Sequence, residues 1–369
     1  MLTVPGHLMF FLAQVPDPRR HNVRHSLSQL LMQILVATAG GANNTFEIGL
    51  FCLAHRAWFA RVCQIHKVPS HDTIGRVLAV LNPERLELAL RAWTKSKLAT
   101  STESGLEIIS LDGKALNGLP EGSYLNLVSA LSTRSGLVLG SLDTHESKKN
   151  ELHTVVALLN QLSLKGTVVV ADAASTYKPV VAAIRAQKAD YVLPVKGNQP
   201  LLAESVQLCF ERPFIAPTVV QTCDAEGGKV VTRTYEFIAL GKRKLPFSED
   251  WEDLRGVGKA TTHSLHKKNG KETSETRYFV TSLTDAAIFA HTVRSHWAVE
   301  SMHWMLDVVF REDACKVRDK VAQTNLNTVR KIVLNAFRAA DLKIPLSHQR
   351  KLSGWNQEVL WESMQMLFK

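Results

Sequence analysis

Two apolar segments in the middle of the chain each end on an aspartate, and this repeated pattern limits the possible folds more than any other feature. The segments 107–111 and 167–171 are short and mostly apolar, and each is followed directly by an acid, Asp112 or Asp172. Apolar runs of this length predict buried strands. We therefore expect both carboxylates to lie at the ends of strands in one sheet.

The segments around these acids alternate between strand-like and helix-like periods. Further strands are predicted at 125–131, 137–142 and 191–195, and helices at 151–162, 179–189 and 200–211. The order is β-β-β-α-β-α-β-α, in which an antiparallel hairpin precedes parallel strands joined by helical crossovers. This is the order of an RNase H-like mixed sheet with flanking helices, an α/β fold whose first and fourth strands are neighbours.

Changes in hydrophobic periodicity and composition divide the 369 residues into five predicted segments. They are a helical N-terminal domain for DNA binding or dimerisation (1–103), the first part of a catalytic core (104–212), a β-rich insertion (213–285), the final core helices (286–345) and a C-terminal tail (346–369). In the first segment, Ser26 and Asn44 are predicted helix caps. Two helices that meet at Asn82 fit a helix-turn-helix, but short helix hairpins are so common that the pattern favours an ordinary hairpin.

Charge is distributed unevenly along the chain, whose formal net charge is +10. Residues 1–100 carry 11 basic and 5 acidic side chains, residues 301–369 carry 11 and 7, and the middle is balanced with 22 of each. A basic surplus at both ends favours a polyanionic partner such as double-stranded DNA. Surface lysines that serve only solubility are the alternative.

The cysteines and the hydropathy pattern bear on the cellular compartment. The five cysteines are widely spaced and contain no C-x-x-C pair, so neither a disulfide framework nor a zinc site is indicated. No run approaches the roughly 18 apolar residues that a membrane-spanning helix needs. We expect a cytoplasmic, nucleoid-associated protein that does not contact a membrane.

A third acid is expected from a long helix predicted at 286–310. His296, Glu300, His303 and Asp307 recur at intervals of four, three and four, so they share one helical face. An adjacent apolar stripe is predicted to pack on the sheet, and it consists of Val293, Trp297, Trp304 and Val308. Glu300 is the best-placed acid on the polar face, and a solvated face with an exposed glutamate is the alternative.

Carboxylates that approach one another need a cation between them. Two acids at neighbouring strand ends repel, and burying them together is costly unless a positive charge neutralises them. Oxygen ligands without cysteine favour Mg²⁺ or Mn²⁺. Two such ions about 4 Å apart can activate an attacking oxygen and stabilise a leaving oxygen in phosphodiester transfer. The acids therefore predict metal-dependent chemistry on a phosphodiester.

Four ordered sequence blocks carry a resemblance to a known family. They are SLDGKALNG at 110–118, VVVADAAS at 168–175, DYVLPVKGNQP at 190–200 and RSHWAVESMHWMLDVVFRED at 294–313. Together they resemble the DDE transposases of bacterial insertion sequences, in the group called H repeat-associated or Rhs-linked transposases. The N-terminal block VPDPRRHNVRHSL resembles the helical leader of that group, so the similarity covers nearly the whole chain.

The resemblance implies a site and a reaction. Asp112, Asp172 and Glu300 correspond to the catalytic triad that holds two Mg²⁺ or Mn²⁺ ions per active site. The implied reaction is metal-dependent cleavage of DNA at transposon ends, followed by strand transfer into target DNA. Two ends must be handled together, which implies a homodimer on DNA. The alternatives are a non-mobile, catalytically altered DNA-binding relative and a nuclease that cuts without joining.

The resemblance also directs attention to residues around the triad. Related insertion-sequence enzymes carry Tyr, Arg and Lys at positions that fall here on Val293, His296 and Asp307, so contacts to the DNA ends are expected to differ. Contacts to DNA are expected from polar side chains close to the three acids, namely Lys114, Lys196, Asn198, Gln199, Arg294 and His296. Lys114 has its own turn environment as an alternative partner, and His296 and Arg294 could instead orient Glu300.

Overall fold

The computed structural model describes residues 7–20, 23–99, 105–116, 125–144 and 151–365 of a mixed α/β protein. The chain forms two compact units. The first comprises residues 1–104, 113–150 and 300–369, and the second comprises residues 105–112 and 151–299. The predicted boundary between the N-terminal domain and the core, at 103/104, lies outside the described residues.

Helices and strands alternate along the described residues. The helices are α1 Leu8–Leu12, α2 Leu27–Ala39, α3 Thr45–Ala54, α4 Arg56–Cys63, α5 His71–Val80, α6 Pro83–Ala99, α7 Glu151–Gln161, α8 Lys178–Ala186, α9 Pro200–Glu211, α10 Ala286–Ser295, α11 Trp297–Trp304, α12 Lys320–Ala340, α13 Leu346–Trp355 and α14 Gln357–Met364. The strands are β1 Ile108–Leu116, β2 Leu125–Ser132, β3 Val138–Asp143, β4 Val168–Val170, β5 Asp190–Val195, β6 Thr218–Glu226, β7 Lys229–Ala239, β8 Gly256–His266 and β9 Glu272–Thr281. In the part of the chain that the structure describes, no helix is long and apolar enough to cross a bilayer.

Helix caps in the first unit are those that the sequence predicts. The Ser26 hydroxyl accepts a hydrogen bond from the backbone N–H of Gln29 at 3.3 Å, and the Asn44 side chain accepts one from the N–H of Glu47 at 2.9 Å. The Glu47 carboxylate in turn accepts from the N–H of Asn43 at 2.7 Å. These bonds satisfy donors that a helix start leaves unpaired, which fixes where α2 and α3 begin.

The long helix α12 lies at the centre of the first unit, where it packs against α2, α5, α6 and α14. Its buried face includes asparagines as well as apolar residues. The Asn325 amide donates to the carbonyls of Leu78 and Leu81, both at 2.8 Å, and so satisfies acceptors at the end of α5. The helix pair α5 and α6, the candidate helix-turn-helix, therefore packs on α12, and its role in DNA binding stays a prediction.

The described strands form one sheet in the order β3-β2-β1-β4-β5-β9-β8-β7-β6. In the second unit β1 and β4 are parallel neighbours, with Ile108 opposite Val168 and Ser110 opposite Val170. The prediction that the first and fourth strands lie together is confirmed. β1 is longer than predicted, because it continues to Leu116 through Gly113 and polar positions that interrupt the apolar pattern.

Strands β6 to β9 form an antiparallel extension of the second unit. β9 pairs with β5, with Val192 opposite Thr281. In the sequence, 229–238 alternates and 275–283 contains a strand-like run. These patterns predict two strands, which β7 and β9 confirm, but no pattern predicts β6 or β8. β8 contains Gly256 and Gly258, which lower strand propensity. Glycine is needed at position 258 because a Cβ atom there would overlap the Phe289 ring.

The prediction of one continuous helix over 286–310 is wrong. The chain divides into α10 and α11 at His296 and then widens into a π-turn, Met305–Val309. The break is local, because the N–H of Val299 bonds to the His296 carbonyl three residues earlier at 3.2 Å. This contact replaces the spacing of four residues that an α-helix requires.

The apolar stripe predicted to pack on the sheet is also wrong in part. Trp297, Trp304 and Val308 are 50%, 54% and 56% exposed. The buried face of this segment instead consists of Val299, Met302 and Leu306, none more than 1% exposed. Both stripes repeat at helical spacing, so periodicity alone does not identify the one that faces the core.

We predict that Gly258→Ala destabilises the chain by about 1 to 3 kcal/mol, because the added methyl overpacks the site against the fully buried Phe289 ring. Urea unfolding of the full chain measures the effect. The matched control is Gly197→Ala, where nothing lies within 4 Å of the new Cβ, and its expected effect is within about 0.5 kcal/mol. Equal stabilities for the two variants would contradict the packing argument.

Candidate active site

Asp112 and Asp172 lie close to the last paired residues of two neighbouring parallel strands. Ser110 of β1 is opposite Val170 of β4, and each aspartate follows its paired residue by two positions. Asp172 lies just beyond the end of β4, as expected, whereas Asp112 lies within β1, because that strand continues to Leu116. Both aspartates are half-buried.

Asp172 begins a tight 3₁₀ turn, Ala173–Ser175, that is tied to the rest of the second unit. One carboxylate oxygen of Asp172 accepts hydrogen bonds from the backbone N–H and the hydroxyl of Ser175, at 3.2 and 3.1 Å. The Thr176 hydroxyl donates to the Pro194 carbonyl of β5 at 2.7 Å. The turn therefore holds the Asp172 backbone in a fixed position relative to β5.

Two of the predicted DNA-binding amides support this turn. The Asn198 side chain donates to the carbonyls of Ala173 and Thr176, at 2.8 and 3.3 Å, and the Gln199 side chain donates to the Thr176 carbonyl at 3.2 Å. Their amide groups are thus engaged with backbone, and a contact to DNA stays a prediction for both. Lys196, next to them, is exposed.

Ser110 links β1 to the start of α11. Its hydroxyl lies 2.8 Å from Nδ1 of His296 and 3.4 Å from the His296 carbonyl oxygen. Ser110 is fully buried, and it precedes Asp112 by two residues, so the two side chains share a face of the strand. The sequence identifies His296 but misses Ser110, although the alternation along β1 would have indicated it.

Lys114 forms a second link, within the first unit. Its ammonium group contacts the Asp307 carboxylate in the π-turn and lies 2.7 Å from Glu312 and 3.6 Å from Asp313. The Lys114 side chain is 13% exposed and that of Glu312 is 1% exposed. Lys114 is thus engaged by three acids of the chain, and its predicted contact to DNA stays a prediction.

The partners of Lys114 were missed as functional residues. Burial alone would lower the pKa of Lys114 and raise that of Glu312. Their opposite charges outweigh burial, so the pKa of Lys114 is raised and the pKa of Glu312 is lowered from the ordinary values. Both groups are charged near neutral pH, and the link is a true ion pair.

Two further ionisable side chains, Lys331 and Glu87, are buried in the first unit. Lys331 donates to the Ser129 hydroxyl at 3.1 Å, and burial lowers its pKa to about 8 although Glu87 and Glu312 oppose the shift. Glu87 is also buried, which raises its pKa, and it accepts hydrogen bonds from the Ser141 N–H at 2.5 Å and the Thr328 hydroxyl at 3.2 Å. Burial therefore favours the neutral form of both groups, and their hydrogen bonds satisfy polar atoms that water does not reach.

Glu300 lies in α11, where its side chain is exposed. It belongs to the first unit, whereas Asp112 and Asp172 belong to the second. Arg294, another predicted DNA contact, is half-buried in α10. Among the residues that the structure describes, no group of three or more His, Cys, Asp or Glu side chains is arranged to hold a metal ion.

The chain matches two protein families. Residues 103–336 match the transposase DDE domain, and residues 9–94 match the DDE_Tnp_1-associated domain. The first match includes Asp112, Asp172 and Glu300 and covers more than half of the chain. The chain therefore belongs to the transposase DDE domain family and is a DDE-type DNA transposase, as the four sequence blocks predict.

Individual relatives agree with this assignment. The "putative transposase YncI" of Escherichia coli O157:H7 is 31% identical over 98% of this chain and 96% of its own length. The "H repeat-associated putative transposase YhhI" of E. coli K12 is 29% identical over 89% of each chain.

Among solved structures, the chain is similar to a piggyBac transposase synaptic complex with hairpin DNA. The superposition covers 98% of this chain and 77% of the piggyBac chain, with 12% identity and a TM-score of 0.45.

We predict that Lys114→Met destabilises the chain by about 3 to 5 kcal/mol, because it leaves the buried Glu312 charge without its partner. The matched control is Lys178→Met, whose partner Asp250 is 78% exposed, and its expected effect is within about 1 kcal/mol. Adding Glu312→Gln to Lys114→Met should restore part of the loss. Denaturant unfolding measures all three, and similar values for the two lysine variants would contradict the burial argument.

A second prediction concerns pH. Because the pKa of Lys331 in the folded chain is about 8, the unfolded chain binds its proton more tightly between that pH and the ordinary lysine pKa of about 10.4. The free energy of unfolding should therefore rise with pH across this window, by up to about 3 kcal/mol from this residue. In Lys331→Met the rise should be smaller by that amount. The exposed Lys165→Met should keep the wild-type slope, and a wild-type slope in Lys331→Met would contradict the prediction.

Proposed function

We propose that this transposase cleaves phosphodiester bonds at transposon ends and transfers the freed strand into target DNA, with Asp112, Asp172 and Glu300 together holding two Mg²⁺ or Mn²⁺ ions. Transposase membership rests on the family match. The roles of the three acids rest on their places in the sequence blocks that resemble the family. Within the second unit, Asp112 lies on β1 and Asp172 lies just beyond the end of the neighbouring strand β4, which supports the first two members of the triad.

The observation that carries the proposal is the family match over residues 103–336, which includes Asp112, Asp172 and Glu300. Glu300 lies in α11, and its side chain is exposed. Within the second unit Ser110 contacts His296, and within the first unit Lys114 contacts Asp307. These contacts fix residues that flank Asp112 and Glu300 in the sequence.

The donor chemistry fits a divalent metal. All three side chains offer carboxylate oxygens, the ligands that Mg²⁺ and Mn²⁺ prefer, and no cysteine is close in sequence to any of them. When bound, a metal pair lowers the barrier to attack on the phosphodiester and stabilises the charge on the leaving oxygen. The chain itself contributes rigid support for the acids. Ser175, Asn198 and Gln199 hold the Asp172 turn, whereas Ser110 and Lys114 flank Asp112.

Several finer features follow from the same proposal. The strand order β3-β2-β1-β4-β5 supports an RNase H-like core, in which β6–β9 are the β-rich insertion between the second and third acids. The basic ends of the chain support double-stranded DNA as the partner. We further propose that the protein acts as a homodimer on DNA and associates with the nucleoid, because two transposon ends are processed together.

We predict that Asp112→Asn, Asp172→Asn and Glu300→Gln each abolish Mg²⁺-dependent cleavage of DNA that carries the inverted repeats bracketing the gene. Each change removes one ligand charge and keeps the side-chain shape, so DNA affinity in EDTA should stay within about threefold of wild type. A gel assay for nicked and strand-transferred products measures the reaction. The matched control is Glu204→Gln on the exposed face of α9, which should keep wild-type cleavage.

Three results would contradict parts of this proposal. Full cleavage by Glu300→Gln would remove Glu300 from the metal site. Nicked product without strand transfer in the wild-type protein would favour a nuclease that cuts without joining. Specific DNA binding without any cleavage would favour the non-mobile DNA-binding relative.

A further inference from the structure

A groove of about 670 Å³ lies within the first unit, away from the three acids. One wall is formed by the start of α3, including Asn43 and Asn44, and the other by the loop 311–319 that leads into α12. Two helices, α3 and α12, begin at this groove. Helix starts carry partial positive charge, so their position makes the groove favourable for an anion.

Three cations line the groove, namely Arg311, Lys316 and Arg318. All three are exposed, and the structure shows no hydrogen bond or ion pair between them and other described residues. Arg311 has a φ of +51°, a left-handed conformation that is costly for a side chain other than glycine or asparagine and that is concentrated at functional sites. These side chains are thus available to a ligand.

Two further arginines lie behind the groove. Arg330 is 1% exposed, and its Nη2 donates to the carbonyl of Asn43 at 3.0 Å. Its Nη1 is buried and has no hydrogen-bond partner among the residues that the structure describes. Arg350 is 6% exposed and donates to the Asn43 side chain at 3.0 Å. Burial lowers the pKa of Arg350 to about 10, and repulsion from Arg330 and Arg311 adds to the shift.

The acids of the groove are already bonded to the chain. The Glu47 carboxylate accepts from the N–H of Asn43 and from the side chains of Asn43 and Asn44, and Asp319 caps α12 through the N–H of Ala322. Neither contacts the three exposed cations. Three exposed cations therefore line the groove beside two helix-capping carboxylates, with two buried arginines behind them, and the groove has an excess of positive charge.

We propose that this groove binds the phosphate backbone of double-stranded DNA, with Arg311, Lys316 and Arg318 as the contacting residues. The inference rests on the proposed function for its biological meaning, since that function supplies a DNA partner. None of these residues is part of the triad or of the links that flank it. Buried Arg330 and Arg350 raise the potential at the groove and fix the Asn43 wall, but they do not contact the DNA.

The test is the salt dependence of DNA binding. Affinity for a duplex of about 30 base pairs and arbitrary sequence is measured in EDTA between about 50 and 200 mM salt, because each phosphate contact contributes about 0.9 to the slope of log K against log salt. The variant is the triple substitution Arg311→Gln, Lys316→Gln and Arg318→Gln. The matched control is Lys267→Gln, Lys268→Gln and Lys271→Gln, three exposed lysines near the turn between β8 and β9.

The slope of log K against log salt should be smaller in magnitude by about 2.7 in the groove variant, about 0.9 for each lost contact. Between about 50 and 200 mM salt, the DNA affinity of the wild type should therefore fall about 40-fold more than that of the variant. The control should lose less than about 0.9. An unchanged slope in the groove variant would overturn the proposal and would favour an acidic protein segment as the occupant. Equal losses in both variants would also overturn it, because the attraction would then be diffuse.

Two additional measurements keep the result interpretable. If the triple variant unfolds, Lys316→Gln and Arg318→Gln are measured singly, and each should lower the slope by about 0.9. Glu204→Gln, an exposed residue of α9 outside both sites, should keep the wild-type slope. Because binding is measured without metal, a wild-type protein that binds through the groove but never cuts DNA would disprove the proposed function and leave the groove proposal standing.

Discussion

The buried ion cluster around Lys114 is the interaction on which the arrangement of this transposase depends. A lysine on β1, two residues after Asp112, contacts Asp307 and Glu312 in the segment that follows Glu300. Glu312 has almost no access to water, so its negative charge is stabilised only while the Lys114 ammonium group lies beside it. Lys114 reaches Glu312 only if β1 and the segment that carries Glu312 keep their distance. The same strand also carries Ser110, whose contact with His296 lies on the other side of Asp112.

This cluster also explains what happens at position 307. The resemblance leads one to expect a lysine there, and this chain has Asp307. The Asp307 carboxylate contacts the Lys114 ammonium group, so an ion pair within the chain engages this position. The contacting cations of the proposed DNA groove lie instead in the loop 311–319.

Much of the secondary structure could be predicted from the sequence, because it depends on local chemistry. Ser26 and Asn44 are caps whose hydrogen bonds form within one turn, and β4 is a run of valines. The break at His296, the inward face of α11 and the partners of Lys114 could not be predicted. They depend on contacts between residues nearly 200 positions apart, such as Ser110 with His296, and two apolar stripes at the same spacing leave the choice of face open.

Localised backbone cleavage by bound iron tests the central claim most directly. Fe²⁺ substituted for Mg²⁺, with ascorbate and peroxide, generates radicals that cut the chain close to the metal. If the three acids share one site, the fragments should map to positions near 112, 172 and 300 in the same sample, and all three cuts should weaken together in Asp172→Asn. Cuts near 112 and 172 with none near 300 would contradict the account, because Glu300 would then not belong to the metal site.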